Sequence, residues 1–238
     1  PGEWWLAPDH GPALYYIPRN LDELKPGAVV AAVLETLVRF EGKPDNPVHD
    51  IVIDGLRFTA TTRLKLNKEG YVSLSPGVES ISETGWYETA MHPAAIELRH
   101  TDKISLERNV LQALGGGGIF LYDTRRTLVD GNAVLEVAGI GIGIDIGSFA
   151  GGISKEGEIE APRPGNPRSS EDTITNNRVQ RFGLDYWSAA GILMGFPWEL
   201  AVAHNEVREG DGSGIHKGWY NLWPRCHTYA LNPKALPP

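Results

Sequence analysis

Residues 132–152 read Asn-Ala-Val-Leu-Glu-Val-Ala-Gly-Ile-Gly-Ile-Gly-Ile-Asp-Ile-Gly-Ser-Phe-Ala-Gly-Gly. Ile140, Ile142, Ile144 and Ile146 alternate with Gly141, Gly143, Asp145 and Gly147. A period of two places the isoleucines on one face of an extended segment and the glycines on the other. Glycine weakens a strand, so a row of them marks close backbone approach, a bend or a rearrangement. Two readings fit: a core strand of a β-rich domain, or a strand that turns its isoleucine face to lipid and its glycine face to water.

Around this segment the chain reads as short strands and turns. Gly 28 and Pro 17 in 238 residues favour that over long helices. Ile51-Val52-Ile53, then Asp54-Gly55, then an alternating run from Leu56 onward, reads as a hairpin. The clearest helix spans about 102–114: Thr101 or Asp102 caps it, and Leu106, Val110, Ala113 and Leu114 form an apolar stripe. Gly115, Gly116, Gly117 and Gly118 end it and supply a hinge. Ile119 to Tyr122 is a strand, and Asp130-Gly131 is a turn. No repeat of solenoid or propeller period is visible. Strands, one helix, then strands give an α+β class: a twisted, mostly antiparallel β-sheet with long irregular loops. The chain is one domain, residues 1–238. Within it, residues 1–27 are an aromatic, proline-rich arm, and 160–177 a polar surface loop of Pro, Ser, Asn and charge.

The composition, 41% hydrophobic and 22% charged, is ordinary for a folded domain. A net charge of −8 argues against a nucleic-acid partner. The lone Cys226 rules out an intrachain disulfide framework and points to a cytoplasmic setting, with membrane association only on activation. The chain begins without Met and shows no signal peptide, which suggests a fragment or a trimmed chain. No apolar run reaches the length of a transmembrane helix, so membrane contact would use β-hairpins.

Few motifs carry chemistry. The four glycines at 115–118 follow a helix in this reading, the reverse of a phosphate loop. The seven histidines form no metal-ligand spacing, and neither a metal nor another cofactor is expected. His204, Glu206, Asp211 and His216 are the densest group with catalytic potential, the basis of an alternative reading as a β-rich hydrolase or isomerase. Arg125 and Arg126, with Arg108 and Lys103 nearby, could meet lipid phosphates. The seven Trp leave room for a non-catalytic binding or assembly module, including a homo-oligomer.

The capped stretch from residue 101, then Gly118 to Arg126, then the Ile/Gly segment, resembles the central part of the gasdermin-like cell-death proteins of fungi and bacteria. Leu21 to Gly27 is similar to the opening of such proteins. The resemblance implies a membrane-perturbing, pore-forming protein that inserts β-hairpins and closes into rings. Ile140, Ile142, Ile144 and Ile146 would then face lipid, and the partners would be membrane lipid and further copies of the chain.

Overall fold

The computed structural model describes residues 1–7, 13–64, 73–74, 77–80, 89–146 and 168–217. The chain divides into two compact units, Pro1–Ala32 and Val33–Pro238. In the first, β1 (Trp4–Ala7) and β2 (Ala13–Tyr16) pair antiparallel, with Trp5 stacked on Tyr15 at 5.5 Å. A 3-10 turn at Leu21–Leu24 follows, its first turn capped by the Asn20 side chain accepting from Asp22 N–H.

The second unit is built of successive coils. The first coil holds β3 (Val38–Glu41), β4 (Val48–Asp54) and β5 (Arg57–Thr61). A small antiparallel sheet of β6 (Ser73–Leu74), β7 (Val78–Ser80) and β8 (Thr89–Ala90) interrupts the path. The second coil is β9 (Ala94–Glu107), bent in its middle, and β10 (Val110–Leu114). The third is β11 (Gly117–Arg125), β12 (Leu128–Asp130) and β13 (Ala133–Val137). The fourth is β14 (Ile142–Ile144), β15 (Thr173–Thr175) and β16 (Arg178–Gln180). The fifth is β17 (Ile192–Met194), β18 (Ala201–Ala203) and β19 (Glu206–Arg208), and β20 (Ile215–Lys217) opens a sixth.

Strands from successive coils pair in parallel, forming three ladders. The first joins β3, the front of β9, β11, β14, β17 and β20. The second joins β4, the rear of β9, β12, β15 and β18. The third joins β5, β10, β13, β16 and β19. Each coil visits the three in turn, the pattern of a parallel β-helix.

The register stacks like on like. Ile96, Ile119, Ile142 and Ile192 lie in line in the first ladder, with Leu98, Leu121, Ile144 and Met194 beside them. Leu106, Val129, Ile174 and Val202 line the second ladder, and Phe58, Leu111, Val134, Val179 and Val207 the third. These inward side chains form one core. Each fully buried one contributes about 1.5–3 kcal/mol.

The second corner carries a repeated device. A left-handed residue (Arg108, Gly131, Asn176 or His204) is followed by Asn109, Asn132, Asn177 or Asn205. Asn109 Oδ1 accepts from Leu56 N–H at 2.9 Å, Asn132 Oδ1 from Asn109 N–H at 3.0 Å, Asn177 Oδ1 from Asn132 N–H at 2.9 Å, and Asn205 Oδ1 from Asn177 N–H at 3.0 Å. Their Nδ2 groups donate to the carbonyls of Ile53, Leu106, Val129 and Ile174. The turn leaves these backbone groups without sheet partners, and the amides satisfy them.

This architecture corrects several expectations. Among the described residues there is no α-helix, and the larger sheets are parallel, so the antiparallel α+β reading fails. The segment 102–114 is the rear of β9, a corner at Arg108-Asn109, and β10. Of the stripe expected there, Leu106 and Leu114 face the core together with Ile104 and Leu111, while Val110 is half-buried and Ala113 exposed, because the corner shifts the strand alternation. Gly115 and Gly116 make the turn into β11, which Gly117 and Gly118 open; a Cβ at Gly116 would stand 2.2 Å from the Pro93 carbonyl oxygen. Asp54-Gly55 is a corner, since β4 and β5 pair with β9 and β10, not with each other. A repeat is present, with equivalent residues such as Asn109 and Asn132 separated by 23 positions.

The Ile/Gly segment is packed on both sides. Ile142 and Ile144 join the main core, while Ile140 and Ile146 pack with Phe120, Tyr122 and Leu193 outside the first ladder. A Cβ at Gly143 would lie 2.4 Å from Ile146 and 2.9 Å from Phe120. Up to Ile146, where the described part of the segment ends, no smooth wet face exists for a pore lumen, and no helix among the described residues is long and apolar enough to cross a membrane. Of the segment 160–177, residues 160–167 lie outside the described residues; Arg168, Ser169, Ser170, Asp172 and Asn177 are buried and Thr173–Thr175 is β15.

Candidate active site at the first corner

The first corner lies where β9 bends from the first ladder into the second. His100 occupies it in a left-handed conformation, and Asp123 occupies the equivalent place one coil later. The register Arg99↔Tyr122 and Thr101↔Thr124 sets them side by side. His100 Nδ1 lies 2.6 Å from Asp123 Oδ2, with the two side chains 33% and 19% exposed. A carboxylate only accepts, so the contact places the hydrogen on Nδ1 and leaves Nε2 to exchange protons. Two residues on, Asp102 accepts a two-pronged contact from Arg126, Nε donating at 2.9 Å and the terminal nitrogen to the other oxygen. The bond from Arg126 holds the Asp102 carboxyl below its usual range, so it is ionised.

On the adjoining outer face of the first ladder, Glu97 is buried among cations. It accepts from Arg39 Nε at 3.1 Å and from Arg99 at 3.2 Å, with Ala94 N–H at 3.3 Å. Arg99 lies over the Tyr122 ring, 4.9 Å from its centre. Burial pushes the Tyr122 hydroxyl up, so it stays neutral. This fixed carboxylate positions two guanidinium groups rather than moving protons. At this corner the partly exposed acid–base elements are His100 and Asp123, a histidine oriented by a carboxylate, with a second, ionised carboxylate, Asp102, two residues further along β9.

The residues singled out from sequence fall elsewhere. His204 is the left-handed residue of the second corner, and Glu206 lies on β19, paired with Arg178 at 3.7 Å and Arg208 at 3.0 Å. Asp211 is exposed in the turn before β20. His216, on β20 of the first ladder, has Nδ1 3.4 Å from Ser213 Oγ, and burial lowers its pKa. His204 and Glu206 thus belong to a different part of the coil from His216. Of the basic group, Arg126 binds Asp102 and Arg108 binds Asp54 and Glu107 at the second corner, while Lys103 and Arg125 are exposed. Among the described residues no cluster of His, Cys, Asp and Glu could hold a metal. The His100–Asp123 pair was missed because its members are 23 residues apart. Only the repeat brings them together.

The fold and site define a parallel β-helix with a histidine–carboxylate cluster on one corner. Among solved structures, a protein described as a glycoside hydrolase matches with a TM-score of 0.75 and 24% identity, over 92% of this chain and 39% of that one. The likeness is one of fold, and the chain spans well under half of that protein's length. No protein-family model matches the chain, and no curated protein does. The shared fold, together with the packed Ile/Gly segment, overturns the gasdermin-like resemblance and the pore-forming, cell-death function it implied.

Proposed function

We propose that this chain is part of a polysaccharide-cleaving hydrolase, with the sugar chain lying across the first corner. The observation that carries the reading is the His100–Asp123 pair, with ionised Asp102 two residues along the same strand, on a fold shared with a glycoside hydrolase. Hydrolysis of a glycosidic bond needs a proton delivered to the leaving oxygen and a negative group to steady the oxocarbenium charge or activate water. His100 is assigned the proton transfer, Asp123 its orientation, and Asp102 the charge stabilisation. Arg39 and Arg99, positioned by Glu97, are assigned sugar contacts at the edge of the site.

The test is release of reducing ends from a panel of neutral and acidic polysaccharides. Wild type is expected to cleave at least one, and His100→Gln and Asp123→Asn to lower kcat by about 10²- to 10⁴-fold with KM little changed. Arg178→Gln, on the third ladder, should be unaffected. Cleavage that survives both corner substitutions would remove the assignment, and cleavage of no member of the panel would count against the function.

A further inference from the structure

One stretch of backbone sets both partners of the candidate site. Residues 123–127 carry Asp123, which meets His100, and Arg126, which holds Asp102. The fourth coil braces that stretch with the buried side chains of Asp145, Ser169 and Asp172. Thr124 N–H donates to Ser169 Oγ at 3.1 Å, Arg126 N–H to the Ser170 carbonyl at 3.0 Å, and Thr127 N–H to Asp172 Oδ1 at 2.7 Å. Asp123 N–H donates to Asp145 Oδ1 at 3.2 Å. Asp145 is thus bonded to the residue whose carboxylate orients His100.

Asp145 is itself held on both oxygens. Ser169 Oγ donates to Oδ1 and Ser169 N–H to Oδ2, each at 2.7 Å. Each oxygen therefore faces a backbone N–H, a group that cannot turn to accept. Only an acceptor-only side chain fits: an amide, in either orientation, sets its NH2 against one of the two N–H groups. Burial pushes the carboxyl up to about 6 although these donors favour its charge. A buried carboxylate is a costly way to hold a turn, and the second corner manages with amides.

Asp172 makes a different demand. Its Oδ1 faces Thr127 N–H, but its Oδ2 faces the Thr124 hydroxyl, which can rotate. An amide fits there, with its oxygen on Thr127 N–H and its NH2 on Thr124 Oγ1, the hydroxyl then turning to Ser169 Oγ at 3.1 Å.

We propose that Asp145 is a positioning residue of the candidate site, its carboxylate fixing the backbone at Asp123 and through it the approach of Asp123 to His100 Nδ1. Asp123 is left-handed, φ +51, a conformation that a residue with a side chain keeps when its surroundings hold it. Released from Asp145, the turn relaxes, Asp123 leaves Nδ1, and the imidazole loses the partner that sets its tautomer. The inference rests on the reading of His100 and Asp123 as the proton-transfer pair.

The test compares wild type, Asp145→Asn and Asp172→Asn by two readouts. With nitrogen-labelled histidine, NMR at about pH 8 reports which ring nitrogen of neutral His100 carries the hydrogen. Cleavage of the polysaccharide panel gives kcat and KM. Wild type is expected to hold the hydrogen on Nδ1. Asp145→Asn should show a mixture of the two tautomers and a kcat lower by about 10- to 10²-fold, with KM within about twofold. Asp172→Asn should match wild type in both. A folded Asp145→Asn with the wild-type tautomer and kcat would overturn the proposal, as would a tautomer change of equal size in Asp172→Asn. If wild type cleaves nothing while the tautomer still changes in Asp145→Asn alone, the hydrolase reading fails and the positioning role stands. If Asp145→Asn does not fold, Asp145→Ala, which sets no donor against either N–H, decides by the same readouts.

Discussion

Asn132→Leu is expected to destabilise the chain by roughly 3–6 kcal/mol. Asn132 sits inside the ladder of the second corner, 1% exposed. Its Oδ1 accepts from both Asn109 N–H and Asn109 Nδ2, and its Nδ2 donates to the Leu106 carbonyl and to Asn177 Oδ1, at 2.8–3.0 Å. Leucine fills the volume and leaves these groups in a dry corner without partners. Each such buried group costs about 1–3 kcal/mol, a large share of the roughly 5–15 kcal/mol that holds an ordinary domain together. Asn205→Leu, at the half-buried end of the ladder, should cost less because water reaches the groups it abandons. Urea unfolding of the two variants checks both the size and the order. A loss under about 1 kcal/mol at Asn132 would mean that the ladder does not bridge the coils.

Gly141→Val is the second large expectation, a loss of about 3 kcal/mol or failure to fold. A Cβ at Gly141 would lie 2.4 Å from Val179 Cγ1 and 2.6 Å from the Gly191 carbonyl oxygen. That oxygen also accepts from Ile142 N–H at 2.9 Å, so it cannot retreat without breaking the ladder. The constraint repeats: a Cβ at Gly118 would meet the Gly141 oxygen at 2.4 Å, and one at Gly191 the Gly214 oxygen at 2.8 Å. The glycines preceding Ile119, Ile142 and Ile192 are therefore set by close approach between coils. Gly55→Asn is the informative contrast. Gly55 has φ +68 with open space around its Cα, and Asn tolerates that conformation, so the change should stay within about 0.5 kcal/mol.

The sequence carried more of this fold than a search for alternation reveals. The strand at Ile119–Tyr122 was legible because buried parallel strands read as short apolar runs, whereas the similar run Ile192–Met194 reads equally as strand or buried helix. The coil was hidden because equivalent positions keep their spacing only briefly. Asn109 and Asn132 are 23 apart, but Asn132 and Asn177 are 45 apart and Asn177 and Asn205 are 28 apart, the corners absorbing insertions. Reading the Gly-Ile pairs at 118–119, 141–142, 191–192 and 214–215 as one recurring unit would have exposed it. The false helix at 102–114 has a related cause: Arg108 and Ala113 take left-handed conformations that reset the alternation, and the sum mimics a period near 3.6. The candidate site was illegible for a stricter reason. His100 and Asp123 meet only through coil stacking, so no local spacing marks them.

The stacked register is the claim on which the site and both stability predictions depend, and methyl NOEs test it most directly. With isoleucine δ1 methyls labelled, Ile119 is expected to show contacts to both Ile96 and Ile142, and Ile142 to Ile192, because these residues sit opposite one another in adjacent parallel strands. Absence of those contacts, with cross-peaks instead between residues 132–146 and their immediate sequence neighbours in an antiparallel pattern, would contradict the account.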